Sequence, residues 1–360
     1  MNKFKKIGIG VVTLGLLSTP IIAIIVSKSL SKEKSGIEIT GVGSSSVQPL
    51  INEISKKTIY NIQYTANGSG AGLESQSEKK ILSYFGMMSS LKTPGDDNKI
   101  ANWKKHKVRT ITWAIDAIGI SVKLPSSIKI INNERPIIDI QELSKLYDVD
   151  SAANTTWGKL LTNETKTSTG LDAVPLAFGR QGGKSASGTA DGFWHQLGKN
   201  IAPGTQADKD HKYLPKVQQT PEANSVALNV VVGKSSGLTY ISLGYALENE
   251  KSSGTQVATI TNTKDGTNWV PTMDNVKNGS YKWIRPFNMS FSIKNKDSIK
   301  FAWFLFSLEV QEIIKNLNFV PLTSNQILWQ ANLSKTDEEL KKEDVLHLAT
   351  KGDFKHGLEI

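Results

Sequence analysis

Four short loops rich in serine, glycine and threonine recur along this chain of 360 residues, each placed between a strand-like run and a helix-like one. They are Gly43-Ser44-Ser45-Ser46, Gly68-Ser69-Gly70, Gly86-Met87-Met88-Ser89-Ser90 and Ser185-Ala186-Ser187-Gly188-Thr189. The first follows Ile37-Glu38-Ile39-Thr40, the second Ile62-Gln63-Tyr64, and the fourth Pro175-Leu176-Ala177-Phe178. A helix start presents unpaired backbone N–H groups and about half a positive charge, and so attracts anions. Serine and threonine add hydroxyl donors, and glycine lets the backbone approach closely. Several such starts converging on one point make a dry trap for an oxyanion. Arg180, at the end of the fourth strand-like run, can fork a guanidinium onto the same guest.

Other chemistries fit less well. Gly183-Lys184-Ser185 resembles the end of a nucleotide-binding P-loop, but the glycine required five positions earlier is Phe178, with Gly179 out of register. Ser89-Ser90-Leu91-Lys92 has the Ser-x-x-Lys spacing of serine acylating enzymes, and Lys234-Ser235-Ser236-Gly237 only loosely echoes their second motif; a Ser-Asp-Asn element is missing. No base accompanies a serine in a recognisable arrangement, so the chain reads as a non-enzyme. The five histidines are scattered, and there is no cysteine. Neither a metal nor a cofactor is expected. The missing cysteine also excludes disulfides and a lipid-modified N-terminal Cys.

These loops need a layered scaffold. Strands are expected at Ile37–Thr40, Ile59–Thr65, Val108–Lys123, Val174–Phe178 and Trp283–Lys294. Helices are expected at Pro49–Lys57, Gly72–Lys80, Asp139–Tyr147 (capped by Asp139), Ala190–Leu197 (capped from Ser187-Gly188-Thr189) and Ser298–Leu317. Alternating strands and helices predict an α/β fold, and the length exceeds what one core usually serves, so two lobes are expected.

The formal net charge is +10, mostly from dispersed lysines. Such a field favours anionic ligands or a membrane surface. The basic residues form no face interleaved with aromatics, which argues against a nucleic-acid partner. At the N-terminus, Lys3, Lys5 and Lys6 precede the uncharged, mainly apolar run 7–27. At about 1.5 Å per residue that run spans roughly 31 Å, the thickness of a bilayer core. It predicts an uncleaved membrane anchor with the body outside the cell, a cleaved signal being the alternative. A charged tether reaches to residue 36, and residues 324–360 read as a peripheral extension.

Longer motifs then come into view. Ile39-Thr40-Gly41-Val42-Gly43-Ser44-Ser45-Ser46-Val47-Gln48-Pro49-Leu50 closely resembles the opening of the phosphate-binding proteins that serve ABC-type phosphate importers. Ala114-Ile115-Asp116-Ala117-Ile118-Gly119-Ile120 resembles their first inter-lobe strand, and Tyr240-Ile241-Ser242-Leu243-Gly244-Tyr245 their Gly-Tyr element. Arg285-Pro286-Phe287, Phe304 to Ile314, and Asn318-Phe319-Val320-Pro321-Leu322 resemble their C-terminal strand, helix and closing proline. The resemblance spans about Ile37 to Thr323.

The resemblance implies a two-lobed periplasmic-binding-protein fold (Venus-flytrap, type II). Lobe 1 comprises residues 37–115 with 285–323, and lobe 2 residues 116–284. It implies capture of inorganic phosphate by Ser45, Ser46 and Ser69 from lobe 1, and by Arg180, Ser187, Gly188 and Thr189 from lobe 2. Many relatives carry an aspartate in the third loop, which accepts the proton of bound phosphate; the matching place here is Ser89, or Ser90 if the alignment is shifted by one. The loop from Arg180 to Ser187 is also three residues longer than the usual pattern. The implied partners are the permease subunits of the importer, served by a monomeric binding protein. Two alternatives remain: the same fold holding sulfate or molybdate, and a surface adhesin or antigen that has lost its ligand.

Overall fold

Apolar spacing in the first third of the chain builds a strand–helix repeat. Strand β1 (Ile37–Gly43) leads to helix α1 (Gln48–Lys57), which buries Leu50, Ile51 and Ile54 and starts with a proline in its first turn. Strand β2 (Tyr60–Thr65) leads to α2 (Gly68–Ser77), and β3 (Phe85–Met88) follows. In this computed structural model, β2 and β3 flank β1 and run parallel to it. The structure describes residues 36–90, 94, 96–147, 154–165, 169–180, 187–200, 218–220, 223–324 and 326–327.

Helix α3 (Asp97–Lys105) precedes β4 (Val108–Lys123), a strand of 16 residues with the limits expected from its apolar run. Strand β5 (Ile137–Asp139) opens α4 (Ile140–Leu146). The Asp139 carboxylate accepts from the backbone N–H groups of Gln141 and Glu142, as its capping position predicts. The short α5 (Trp157–Leu160), β6 (Ala177–Arg180), α6 (Gly188–Asn200) and β7 (Gln218–Thr220) follow. The next elements are α7 (Asn224–Val232), β8 (Gly237–Ser242), α8 (Leu243–Ser253), β9 (Gln256–Val257), β10 (Thr259–Asn262), β11 (Thr267–Trp269) and α9 (Met273–Lys277).

Strand β12 (Ile284–Ser292) returns antiparallel to the first half of β4 and to β3. The second half of β4 pairs instead with β8. One sheet therefore runs β2-β1-β3-β12-β4-β8-β6-β7, with β9 also beside β4, and β4 carries the chain from one half of it to the other. Both long strands are almost wholly buried, and their apolar residues are interspersed with buried polar ones such as Asp116, Ser121, Arg285, Asn288 and Ser290.

The single C-terminal helix expected over Ser298–Leu317 is two helices, α10 (Lys296–Phe304) and α11 (Leu308–Asn316). The break has a local cause: the Ser307 hydroxyl accepts from the Val310 N–H and starts a new helix. Aromatic packing fixes both halves of the sheet. Phe301 contacts Phe85 and Tyr60 on one side, while Phe193 stacks on Tyr240 with ring centroids 4.0 Å apart on the other.

The apolar run 7–27, its basic tip and most of the tether lie outside the described residues, as do residues 328–360. Among the described residues, no helix is long and apolar enough to cross a membrane.

Candidate functional site

Hydroxyls from all four loops meet at one buried point. The first loop is held by a close backbone approach: Gly43 has φ +151°, and a Cβ there would lie 2.0 Å from the Met87 carbonyl oxygen. The adjoining Ser44 N–H donates to that same carbonyl at 2.9 Å. Ser44 Oγ then donates to Ser89 Oγ at 2.8 Å, and the Ser46 N–H donates to Ser44 Oγ at 3.3 Å. From the start of α2, Ser69 Oγ lies 3.3 Å from Ser89 Oγ and accepts from the Ser89 N–H at 3.0 Å. From the start of α6, Thr189 Oγ1 lies 3.1 Å from Ser46 Oγ. Ser44, Ser46, Ser69, Ser89 and Thr189 are all buried.

A cation sits among them. Arg285, on β12, directs Nη1 to Thr189 Oγ1 at 2.8 Å and to Ser89 Oγ at 3.3 Å; Nη2 reaches Ser46 Oγ at 3.1 Å. Its other edge faces Asp116, whose Oδ2 accepts from Nε at 2.9 Å and from Nη2 at 2.6 Å. All of the guanidinium donors are thereby paired, and both charged groups are almost fully buried. Asp116 Oδ1 accepts from Ser242 Oγ at 2.7 Å. Burial pushes the Asp116 carboxyl above its ordinary range, against the lowering pull of Arg285 and the Ser242 hydrogen bond.

The sheet explains the pair. Arg285 and Asp116 are directly opposed partners in the antiparallel β12–β4 register, so both side chains project from the same face. Arg285 also lies over the Phe287 ring, 5.8 Å from its centroid.

The remaining expected residues are placed as follows. Ser187 is buried, and its Oγ accepts from the Ala190 N–H as a helix cap. Gly188 packs its backbone against the hydroxyls: a Cβ there would lie 2.3 Å from both Ser69 Oγ and Ser89 Oγ. Ser45 is half-buried between the two converging serines, and its carbonyl accepts from the Gln48 N–H. Arg180 is buried, with Nη1 donating to the Ala223 carbonyl at 2.7 Å and Nη2 to Asn224 Oδ1 at 2.7 Å. Asn224 Oδ1 also accepts from the Ser242 N–H, so Arg180 connects through Asn224 and Ser242 to Asp116. Residues 181–186, with the P-loop-like Gly183-Lys184-Ser185, lie outside the described residues, as do Leu91 and Lys92 of the Ser-x-x-Lys spacing.

Arg285, Asp116 and Ser44 stand within the sequence motifs but outside the set of residues expected to hold the ligand. One signal was available for the first two. Asp116 is the acid of β4 and Arg285 the arginine of β12; each is costly to bury, and the cost falls when they pair. Among the described residues, no group of His, Cys, Asp and Glu is arranged to hold a metal ion.

Comparison with known proteins agrees with this architecture. An uncharacterized lipoprotein of Mycoplasma genitalium is 30% identical over 314 residues, covering 78% of this chain and 80% of the relative. Among solved structures, a human phosphate-binding apolipoprotein superposes with a TM-score of 0.60 at 17% identity, over 81% of this chain and 92% of that one. A Clostridium perfringens protein with bound phosphate gives 0.57 at 22% identity, over 79% and 100%. An ABC-type phosphate transport receptor from Vibrio cholerae gives 0.51 at 18% identity, over 79% and 99%. The family model described as the PBP superfamily domain matches residues 29–307, so this chain belongs to the PBP superfamily and has the α/β fold of the periplasmic binding proteins.

Proposed function

We propose that this protein captures inorganic phosphate between two lobes, residues 37–115 with 285–323 and residues 116–284, and delivers it to an ABC permease. The observation that carries this reading is the Arg285 guanidinium among the Ser46, Ser89 and Thr189 hydroxyls, with Ser44 and Ser69 bonded behind Ser89. These groups come from segments far apart in sequence, and each can donate to a tetrahedral oxyanion. Family membership and the phosphate-binding proteins of the same fold support a transporter binding subunit rather than an enzyme.

In this reading phosphate takes over the Nη1 and Nη2 hydrogens that now go to hydroxyls, and the hydroxyls turn their own hydrogens to its oxygens. Ser187, Gly188 and Thr189 supply the start of α6, and Ser45 the first turn. Arg285 is the direct cation, while Arg180 supports it from behind Asn224 and Ser242. Charge-assisted hydrogen bonds contribute about 1.5–3 kcal/mol each and neutral ones about 1 kcal/mol. After association costs, such a set reaches roughly micromolar affinity, about −8 kcal/mol. Opening and closing would bend β4 and β12 near Thr112–Ile120 and Ile284–Ser290.

We place the protein on the outer face of the cell membrane. The lipoprotein relative and the family both support an extracellular, anchored or secreted protein. The apolar run 7–27 is the anchor we propose here.

A thermal-shift panel with phosphate, sulfate, arsenate and molybdate tests the reading. Phosphate should raise the melting temperature in proportion to the logarithm of its concentration. A panel with no shift for any anion rejects it. A larger shift with sulfate or molybdate moves the reading to another oxyanion, which the serine at position 89 makes a specific alternative.

A further inference from the structure

We propose that Asp116 is the positioning and charge-setting residue of this site: it aims Arg285 at the hydroxyl cluster and takes up a proton when a doubly charged oxyanion seats there. This inference rests on the oxyanion reading and specifies how the site handles charge.

The geometry carries it. Asp116 Oδ2 grips the Nε and Nη2 edge of Arg285, which leaves Nη1 and the second Nη2 hydrogen for the hydroxyls. Asp116 and Arg285 together are neutral, so an anion arriving at the cluster meets one cation already shared with one buried carboxylate. A dianion on the far edge of the guanidinium then leaves the buried site with a net negative charge. Two remedies exist: the ligand gains a proton, or Asp116 does. The hydroxyls can accept a proton from the ligand only as neutral oxygens, and Ser89 puts no carboxylate among them. Among the described residues, Asp116 is the one buried carboxylate hydrogen-bonded to the site's cation, and burial already favours its protonated form.

The groups facing Asp116 come from three directions. Arg285 on β12 favours its charged form, as does the Ser242 hydroxyl at the end of β8. The buried Tyr281 phenol, just before β12, senses the Asp116 charge and donates to the Ile118 carbonyl. Arg180 acts from further away through Asn224 and Ser242. An incoming anion opposes the help from Arg285, and the proton comes from solvent. Binding and protonation are then reciprocal. Affinity is insensitive to pH where Asp116 is protonated both with and without ligand. It falls by about tenfold per pH unit as pH rises between the ligand-free and ligand-bound midpoints.

Titration calorimetry of phosphate binding at about pH 8.5, where free phosphate is almost all dianion, tests this when run in two buffers of different ionisation enthalpy. The wild-type chain should take up close to one proton per phosphate, and Asp116→Asn should take up close to none. Uptake that persists in Asp116→Asn, or is absent from the wild type, overturns the proposal. Should Asp116→Asn fail to fold, Ser242→Ala decides. Loss of its hydrogen bond should extend proton uptake to higher pH, and an unchanged pH profile overturns the proposal. An absence of phosphate binding by the wild type at every pH sinks the oxyanion reading itself, an outcome distinct from binding without proton uptake.

Discussion

The hydroxyls of Ser46 and Thr189 lie 3.1 Å apart although 143 residues separate them, and the Arg285 guanidinium donates to both. One serine ends the turn after β1 and the threonine begins α6, so the contact joins two halves of the sheet. The joint is polar and buried, made by groups that can each bond to something else. That is the property expected of a surface that closes around a guest and opens again.

Arginine geometry at position 285 should matter more than charge alone. Lysine keeps the charge but lacks the planar fork that spans Asp116 and the hydroxyls. Arg285→Lys should fold and lose at least about tenfold in phosphate affinity, near 1.4 kcal/mol. Arg285→Ala leaves Asp116 buried without its partner and should cost about 3–5 kcal/mol of stability. Arg180→Lys should lower the melting temperature with an affinity change below about threefold. Calorimetry on the two lysine variants checks the contrast, and the reverse ranking would return the direct role to Arg180.

Gly188 sets how closely α6 can approach the cluster. A methyl group there meets two short, fixed side chains at 2.3 Å, so neither can swing clear as a long side chain would. Gly188→Ala should weaken phosphate binding by about 1–3 kcal/mol, the usual penalty for overpacking. Its melting temperature without ligand should change less than its melting temperature with phosphate. Equal changes in both would make Gly188 a plain packing residue.

Alkaline pH should unfold the protein through its buried phenols. Burial pushes Tyr60 up to about 12, with help from the Asp297 charge, and raises Tyr64 and Tyr281 as well. A phenol raised in the folded state ionises first in the unfolded chain. Its contribution is therefore whole below about pH 10 and falls as pH rises towards 12. Denaturation midpoints should hold up to about pH 9 and then decline, with phenolate absorbance appearing together with unfolding. Gradual phenolate formation in a still-folded chain would count against this.

The scaffold was legible in sequence where one local rule acted alone. The apolar run Val108–Lys123 marked β4 at both ends, and Asp139 and Ser187 declared themselves as caps before helical spacing. Apolar spacing predicts one C-terminal helix because it carries on across Leu305–Ser307, while the break between the two helices depends on one hydroxyl bond. The hydroxyl half of the site showed in its loops. Its charged half did not, because Asp116 and Arg285 are joined only by the β4–β12 register, across 169 residues of chain. Loop patterns announce helix starts; they do not say which strands cross behind them.

Ser89 gives the last prediction. Its Oγ accepts from Ser44 Oγ, stands 3.3 Å from Ser69 Oγ, and receives one Arg285 hydrogen, so it occupies the middle of the cluster. It is both donor and acceptor, and it adds no charge. On the proposed reading, sulfate and phosphate dianion would meet the same set of neutral donors plus one arginine. Ser89→Asp would place a carboxylate against the guest. A protonated phosphate oxygen could donate to it, whereas sulfate has no proton to give and meets a repelled charge. At an effective dielectric of about 20, like charges 4 Å apart repel by about 4 kcal/mol. The variant should lose sulfate binding by at least about a hundredfold relative to phosphate, near 2.7 kcal/mol. Competition calorimetry with the two anions on wild type and Ser89→Asp reads this ratio directly. An unchanged ratio would mean that the guest does not touch position 89, and that the cluster closes elsewhere around it.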